Sequence, residues 1–418
     1  MIELLKKIFK GNSKFFKNQR RYRSAIRTLR KQHLNSNKIK VAFLVVFDSV
    51  FPAKPIFEKM LDDAVFEPVI IVVPNVSKTM KYQIDTLEET FTGLSSLYPG
   101  KVIKAYDYDT DTYLDLKDEY QIMFFANPYA SLVHKLHHVE YFLDKNVLPI
   151  YVSYGFAALK FWDEVIATDF YNYMWMCTLE TKSNLKHLKS VERLKGKNGL
   201  VTGYIKVDKL ALMQPYHSER KRILICPHHT VWGWKNLNIG NFLKYSELFV
   251  RLPGLFPEID FIFRPHPLLI ANLKDHKVWT EEQINQYFDR LLSNENMTYD
   301  TSGDYFQQFV DSDAMIHDCG SFIGEYLYTE KPCCYMMKSK EETYKGLVPL
   351  GQQCMNQYYH AFEEKDIIDF IQNVVIDGND TLKSQRVDFV RNELKVNYPN
   401  ASDVVINKIK EVLKIKNN

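Results

Sequence analysis

Three short stretches of this sequence place polar side chains directly after runs of apolar residues. They are residues 227–230, 264–267 and 317–325, and together they hold four histidines, an arginine and a serine. A histidine can accept a proton near neutral pH, and an arginine can bind phosphate oxygens through its fork of N–H donors. These residue types indicate a site that binds a phosphorylated substrate and moves a proton.

The third stretch is predicted to be a buried strand end, a tight turn and the start of a helix. Residues 314–316 are apolar, and apolar residues recur at helical spacing after Ser321. The unpaired N–H groups of a helix start suit a phosphate, Gly320 lets the backbone approach closely, and Ser321 can cap or donate. From the residues alone, an ordinary strand–helix joint in an α/β core remains the alternative.

The second stretch is Arg264-Pro265-His266-Pro267. A residue before proline favours an extended conformation, so the two prolines should present the His266 imidazole with little freedom. We expect His266 to act as a general base and Arg264 to bind phosphate. The alternative is a structural histidine that caps a strand end.

The first stretch carries the adjacent His228 and His229. Neighbouring histidines on a loop point in different directions and seldom chelate one metal, and no third ligand has a helpful spacing. We expect one of them to contact a phosphate or ribose and the other to be structural. The Asp107-Tyr-Asp109-Thr-Asp111 run could hold a metal–nucleotide complex, but we interpret it as a solvated acidic loop. No metal and no cofactor are expected.

The elements that must position these residues alternate between strands and helices. The predicted strands are 41–47, 67–73, 102–106, 121–125, 148–154, 173–178 and 199–202, then 223–226, 259–263, 314–316 and 333–336. Helices are predicted between them, including 128–143, and a last helix at 402–413 with Ser402 as a plausible N-cap. This alternation predicts two doubly wound parallel sheets. The polar stretches follow three strands of the second sheet and should line one mouth.

The composition fits a folded, two-domain chain with an unusual N-terminus. Of its 418 residues 46% are apolar, and no apolar run is long enough for a membrane span. Residues 1–40 hold thirteen of the 54 Lys/Arg and one of the 51 Asp/Glu, a balance of +12, so the remainder carries 41 basic and 50 acidic residues, or −9. We expect residues 1–39 to form a basic helical arm, 40–203 and 204–400 the two α/β domains, and 401–418 a C-terminal helix.

The basic arm suggests an anionic partner. Ile2, Leu5, Phe9, Phe15 and Phe16 are interleaved with Lys and Arg, which suits the surface of an anionic membrane. The alternative is a helical extension that packs on its own domain. Nucleic acid is not expected, because no recognised nucleic-acid fold signature accompanies the arm. With no signal-peptide pattern, we expect a cytoplasmic protein, peripheral on the inner face of the cell membrane.

The run 313–335 resembles the signature of the CDP-glycerol glycerophosphotransferases, the teichoic-acid and capsule polymerases. It keeps that family's Asp at Asp318, its second Ser at Ser321 and its Lys-Pro at Lys331-Pro332, but has His317, Cys319, Gly320 and Glu325 at the places of the family's Thr, Tyr, first Ser and later Asp. Residues 261–268 resemble its Lys/Arg-Pro-His-Pro motif. Residues 202–210 resemble, more weakly, its Gly-x-x-x-x-Asp. The convincing match covers about residues 200–340.

The resemblance implies a GT-B fold, with two Rossmann-like domains and a cleft between them, and transfer of a polyol phosphate from a CDP-linked donor to a lipid-linked or glycan acceptor. It implies His266 as catalytic, with a donor site that includes Arg264, His317, Asp318, Gly320, Ser321 and Glu325. His228 and His229 depart from the family, which commonly has Ala-Pro-Thr there, and they are donor-site candidates from their own chemistry. A second catalytic His-Gly of the family is replaced by Tyr154-Gly155, our acceptor-side candidates. The alternatives are a GT-B glycosyltransferase that uses a nucleotide sugar and a non-catalytic scaffold of the same fold.

Overall fold

The protein forms two compact units, each built on one parallel β-sheet. The computed structural model describes residues 2–34, 38–216, 218–232 and 239–415. The first unit holds the chain up to Gly155, Asp163–Lys209 and the residues from Val396 onward, and the second holds Phe156–Trp162 and Leu210–Lys395. The two ends of the chain, predicted as a separate arm (1–39) and a separate C-terminal helix (401–418), are joined to the first unit by their contacts.

Among the described residues, thirteen strands form the two sheets and two more form a small antiparallel hairpin. In chain order the strands are β1 Ile39–Val45, β2 Phe66–Val72, β3 Val102–Lys104, β4 Tyr106–Asp107, β5 Thr112–Tyr113, β6 Ile122–Phe125, β7 Leu148–Tyr151, β8 Met176–Leu179, β9 Gly199–Val201, β10 Lys221–Cys226, β11 Ile259–Phe263, β12 Met297–Tyr299, β13 Ala314–His317, β14 Cys333–Met336 and β15 Tyr359–Ala361. The first sheet has the order β3-β2-β1-β6-β7-β8-β9, and the second has the order β12-β11-β10-β13-β14-β15. All sheet neighbours are parallel, which confirms the prediction of two doubly wound sheets.

The central strands of both sheets are buried on both faces, as their continuous apolar runs predict. Every residue of β6 and of β13 is buried. In the first sheet the rings of Phe43 and Phe124 stack with their centroids 4.4 Å apart. Because all strands of a sheet run in one direction, the loops after them emerge at the same edge.

Helices cover the sheets. They are α1 Ile2–Leu34, α2 Lys54–Leu61, α3 Met80–Leu97, α4 Phe161–Ile166, α5 Asp169–Tyr173, α6 Lys182–Val191, α7 Phe242–Leu255, α8 Leu269–Asp275, α9 Glu281–Leu291, α10 Phe306–Asp311, α11 Phe322–Glu325, α12 Lys340–Lys345, α13 Pro349–Met355, α14 Glu364–Asp369, α15 Lys383–Phe389 and α16 Ala401–Leu413. Helices α14 and α15 continue as π-helical segments, Phe370–Ile376 and Val390–Leu394 respectively. Of the helices described, none is both long enough and apolar enough to cross a membrane.

The helix predicted at 128–143 is wrong. The chain there makes three short 3₁₀ turns, Ala130–Leu132, Lys135–His137 and Val139–Phe142. His138 Nε2 lies 2.9 Å from the carbonyl oxygen of Ala130 and 3.0 Å from that of Val133. This side chain therefore engages carbonyls that a helix would have used for its own N–H groups.

Motif residues hold the C-terminal segment and a helix end in place. Gly203 has φ +90°, and a Cβ there would lie 2.0 Å from the carbonyl oxygen of Val396. Asp208 accepts hydrogen bonds from the N–H groups of Ala401 and Ser402 at 3.1 and 2.8 Å, so Asp208, and not Ser402, caps α16. Lys331 Nζ donates to carbonyl oxygens at the end of α10, including that of Val310 at 2.6 Å.

The N-terminal arm is one helix that packs on the first unit. Phe15, Tyr22, Ala25 and Leu29 are fully buried, and Tyr22, Ala25 and Leu29 belong to the core of that unit. Gln19 Nε2 donates to the carbonyl oxygen of Met174 at 2.9 Å. Residues 15–29 therefore form a helical extension that packs on its own domain, which was one of the two possibilities for the arm. Residues 2–12 lie outside the side chains that the structure describes.

Candidate functional site

The three polar stretches meet at the carboxyl ends of the strands of the second sheet. Strand β10 lies between β11 and β13, with Cys226 opposite His317 and Ile225 opposite Phe263 in the register. From β10 the chain adds β11 and β12 on one side and β13 to β15 on the other, so the strand order reverses between β10 and β13. Ligands of open α/β sheets bind at such switch points. This is the edge that the sequence indicated.

Three of the expected residues form a histidine cluster at this edge: His228, His229 and His266. The ring centroid of His229 lies 4.2 Å from that of His228 and 4.3 Å from that of His266, and those of His228 and His266 lie 5.4 Å apart. Neighbouring polar groups fix each ring by its Nδ1 atom. The N–H of Thr230 donates to His228, the amide of Asn272 to His229 and the N–H of Leu268 to His266, over 3.3, 2.8 and 3.1 Å.

These hydrogen bonds decide which nitrogen carries the proton. An Nδ1 atom that accepts an N–H bond must hold its lone pair, so the neutral ring is protonated at Nε2. Burial and the neighbouring histidines hold the pKa of His228 well below its usual value; burial lowers that of His229 to about 4. Burial and His229 lower that of His266 to about 3. The cluster thus consists of neutral imidazoles with Nε2–H donors. This differs from the expectation of a resting general base at His266.

Asp318 ties three segments of the site together. Its side chain is fully buried, and Oδ1 accepts the N–H of His228 at 2.6 Å. Oδ2 accepts the N–H of Asn241 and, at 3.3 Å, its side-chain amide. Burial raises the pKa of Asp318 to about 7, against the pull of these donors. Asp318 therefore braces the loop after β10 and the start of α7, and it is enclosed by their N–H groups.

His317, expected at the donor, is fully buried beneath the site. Its Nδ1 accepts the N–H of Cys319 at 3.2 Å, and its ring lies 5.1 Å from that of Tyr335 and 5.6 Å from that of Tyr358. Burial lowers its pKa to about 3. Its Nε2 has no hydrogen-bond partner among the described residues. The structure assigns His317 to the support of the turn.

The turn after β13 does not present a strong helix dipole. Helix α11 is only four residues long, Phe322–Glu325, before the chain tightens into a 3₁₀ turn. A single turn sums few peptide dipoles, so the predicted phosphate site at a helix N-terminus loses its main support. A Cβ on Gly320 would lie 2.6 Å from Leu159 Cδ1, so the small residue makes room for a side chain. The Ser321 hydroxyl caps nothing, and the residue is half-buried.

Two other expected donor ligands are engaged by the protein itself. Arg264 pairs with Asp300, and its guanidinium also donates to the Ser302 hydroxyl at 3.1 Å. Burial opposes ionisation of Asp300, but the bonds from Ser302 and the charge of Arg264 keep its pKa below the usual value. Glu325 is fully buried and accepts a hydrogen bond from the Tyr305 hydroxyl. Both residues brace the loops of the site, and Glu325 is no longer a candidate to contact a donor.

The acceptor-side candidates lie in the first unit, just after β7. The Tyr154 hydroxyl is 2.8 Å from that of Tyr129, and the Gly155 carbonyl accepts a bond from the Ser153 hydroxyl at 2.7 Å. Burial and Tyr129 raise the pKa of Tyr154. The phenol therefore stays neutral at physiological pH and can donate a hydrogen bond, but it is a poor base.

A cavity of about 480 Å³ adjoins the Asp318 turn, and its lining does not include the three histidines. Asn241 and Tyr335 line it, and so do three lysines, Lys160, Lys338 and Lys345. Sequence reasoning missed these residues. Lys160 reaches the cavity because the segment Phe156–Trp162 belongs to the second unit. The backbone N–H of Lys160 donates to the Gly346 carbonyl at 2.9 Å. No local pattern marks such a long-range contact.

The acidic run forms the β4–β5 hairpin in the first unit. The Asp107 carboxylate accepts the N–H groups of Asp109 and Thr110 at 3.0 and 3.4 Å, so it stabilises its own turn. Within residues 2–34, 38–216, 218–232 and 239–415, no three or more His, Cys, Asp or Glu side chains lie together in a group that could hold a metal ion.

The fold and the site define a class: two Rossmann-like α/β units of the GT-B type, with a polar edge on the second sheet. No protein-family model and no curated protein matches the sequence. Among solved structures, the chain is similar to the wall teichoic acid polymerase TagF, with TM-score 0.59 and 13% identity over 90% of this chain and 89% of that one. A TagF variant soaked with CDPG for 30 minutes matches with TM-score 0.57 and 14% identity over 98% of both chains. S. aureus MnaA in complex with UDP matches with TM-score 0.56 and 12% identity, over 90% of this chain and 98% of that one. The likeness to the teichoic-acid polymerases, expected from the motifs, is confirmed at the level of the fold.

Proposed function

We propose that the protein is a transferase that takes a CDP-activated polyol, such as CDP-glycerol or CDP-ribitol, and adds polyol phosphate to a cell-surface glycan, teichoic-acid or capsule acceptor. The observation that carries the proposal is the cluster of His228, His229 and His266 beside the Asp318 turn. The structure shows no partner for the Nε2–H groups of these three neutral imidazoles among the residues it describes. Such donors suit the oxygens of a diphosphate, which carry negative charge and accept hydrogen bonds.

In the proposed reaction an acceptor hydroxyl attacks the donor phosphorus nearest the polyol. A new O–P bond forms, the bond to the CMP phosphate breaks, and CMP leaves with the negative charge. Phosphoryl transfer depends mainly on positioning and on charge stabilisation. His266 donates from Nε2–H to a phosphoryl oxygen, as a neutral imidazole electrophile does in other enzymes. The hydroxyl proton passes to solvent or to a phosphate oxygen.

The remaining contacts follow from the neighbourhood of the cluster. The nucleotide occupies the cavity lined by Lys160, Lys338 and Lys345, whose charges offset the diphosphate. The Ser321 hydroxyl, which caps no helix, donates to the same group. Tyr154 and Gly155 are assigned to the acceptor side, where the neutral phenol donates a hydrogen bond. Arg264, His317 and Asp318 hold the loops and make no direct contact with the donor.

The test is incubation of the protein and a short polyol-phosphate acceptor with CDP-glycerol, CDP-ribitol, UDP-GlcNAc and GDP-mannose. We expect CMP release and lengthening of the acceptor with a CDP-linked donor. Release of UDP or GDP would make the protein a glycosyltransferase that uses a nucleotide sugar, and conversion of UDP-GlcNAc without release would make it an epimerase. If no nucleotide shifts its melting temperature, the protein is a scaffold and the proposal fails.

A further inference from the structure

The exposed face of helix α1 carries a row of basic side chains. Arg20, Arg23, Arg27 and Lys31 follow one another at intervals of three or four residues, so they share one face, and all four are exposed. We call these four the basic stripe. In residues 13–32 the salt bridge that the structure shows uses Lys14, with Asp169, and leaves the stripe unpaired. At 1.5 Å per residue the stripe is about 16 Å long.

The opposite face of the same helix is not available to a partner. Tyr22, Ala25 and Leu29 are buried in the core of the first unit, and the Tyr22 hydroxyl donates to the Tyr173 carbonyl. A helix that lies in a membrane interface must bury its apolar face among the lipids. This part of α1 cannot do so without leaving the core of the first unit. Its exposed surface can therefore attract a partner mainly through the charges of the basic stripe.

From this arrangement we infer that the basic stripe docks the first unit on anionic lipid headgroups, with residues 15–31 of α1 lying on the membrane surface and not inserting. Phe16, 37% exposed, lies on the same face, with Lys197 Nζ 4.7 Å from its ring centroid, which extends the basic surface. Outside residues 1–40 the chain carries a balance of −9. A flexible polyanion such as nucleic acid would be repelled wherever it extends past the stripe, whereas a planar headgroup layer meets the stripe alone.

This inference does not depend on the proposed transferase function, because it is tested by binding and not by turnover. The experiment uses the full chain, since deletion of α1 would open the core of the first unit. Sedimentation is measured with vesicles of phosphatidylcholine alone and of phosphatidylcholine with phosphatidylglycerol, at low and high salt. We expect binding to the anionic vesicles only, and weaker binding as salt rises.

The decisive variant is Arg23→Gln with Arg27→Gln. Each basic residue near an anionic surface contributes about fivefold to affinity, so the double variant should bind the anionic vesicles roughly 25-fold more weakly. The matched control is Lys277→Gln with Lys383→Gln, two exposed lysines of the second unit, which makes the same change in net charge and should bind as the parent does. Equal losses in the two variants, or none in either, would overturn the inference. So would a stripe variant that loses affinity for duplex DNA but not for vesicles.

Discussion

The rings of His229 and His266 lie with their centroids 4.3 Å apart at an angle of 49°. At this separation two imidazolium charges would repel strongly, and burial removes the water that could screen them. Both rings are therefore neutral over the physiological pH range, and each has its Nδ1 occupied by a donor from the protein. The pair presents N–H groups to a ligand, and this determines what variants of the site should do.

Replacement of His266 should reduce turnover without unfolding the protein. In His266→Ala the loss of one preorganised donor should lower the rate of CMP release from CDP-glycerol by about 10²–10³-fold. His266→Gln keeps an N–H donor and should recover part of this loss. If His266 were instead a general base, the Gln variant would recover nothing, because an amide does not accept a proton. The control is His360→Ala, on β15 and away from the cluster. A Gln variant as inactive as the Ala variant would restore the general-base role.

Ser321→Ala should weaken donor binding and leave stability unchanged. The hydroxyl caps no helix in the structure, so its removal leaves no backbone group unsatisfied. If it donates to the charged diphosphate, the loss should be about 1–3 kcal/mol of binding free energy, measured by calorimetry with CDP-glycerol. Ser402→Ala is the contrasting variant, because its hydroxyl bonds Asp208 at 2.8 Å and its loss should lower stability alone. Unchanged affinity in Ser321→Ala would exclude this serine from the donor site.

Asp318→Asn should lower both stability and activity. The carboxylate accepts N–H bonds from His228 and Asn241, and an amide would place an N–H group against one of these donors. We expect a loss of about 1–3 kcal/mol in the free energy of unfolding, measured with urea, together with weaker donor binding. Full stability with lost activity would instead mean that Asp318 contacts the ligand directly.

Acid should destabilise the second unit through its buried histidines. The folded-state pKa values of His229, His266 and His317 are lowered, to about 4, 3 and 3, from an unfolded value near 6.5. Their stability contribution is present above pH 6.5 and is lost as the pH falls toward 3. Asp318, whose pKa is raised to about 7, acts in the opposite direction, since it adds stability as the pH falls from 7 to 4.

The pH effect can be tested by removing one titrating group. His317→Asn should make the fall in unfolding free energy between pH 6 and pH 4.5 shallower by about 1.4 kcal/mol per pH unit, because the unfolded chain then takes up one proton fewer. The measurement is urea unfolding at a series of pH values. Curves that stay parallel would show that His317 is not buried as a neutral ring.

Metal removal should leave turnover unchanged. The Asp107 carboxylate is engaged by the N–H groups of its own turn, and the described residues offer no metal cluster. Asp109→Asn and the addition of a chelator should both have no effect on CMP release. Loss of activity with chelator, restored by magnesium, would mean that the donor is bound as a metal complex.

Local patterns in the sequence were enough for the first sheet, for the four central strands of the second sheet and for the edge that holds the site. They did not reveal the two short outer strands of the second sheet, β12 and β15. Apolar runs such as 41–47 and 314–316 predicted buried parallel strands, because a strand covered on both faces has no polar alternation. The polar residues that follow β10, β11 and β13 could be placed at one edge, because parallel strands share the direction of their carboxyl ends.

What each polar residue does was decided only by the tertiary structure. Three residues with the chemistry of ligands are engaged by the protein itself. Arg264 pairs with Asp300, Glu325 accepts a hydrogen bond from Tyr305, and the ring of His317 packs against those of Tyr335 and Tyr358. The N–H of Leu268 determines which nitrogen of His266 carries the proton. Lys160 lines the cavity because the segment 156–162 packs in the second unit. Likewise composition alone left open whether the basic arm packs on its own domain, and the burial of Tyr22 and Leu29 shows that this part of the arm does. Such roles depend on which groups meet across long stretches of chain, and a linear sequence does not contain those distances.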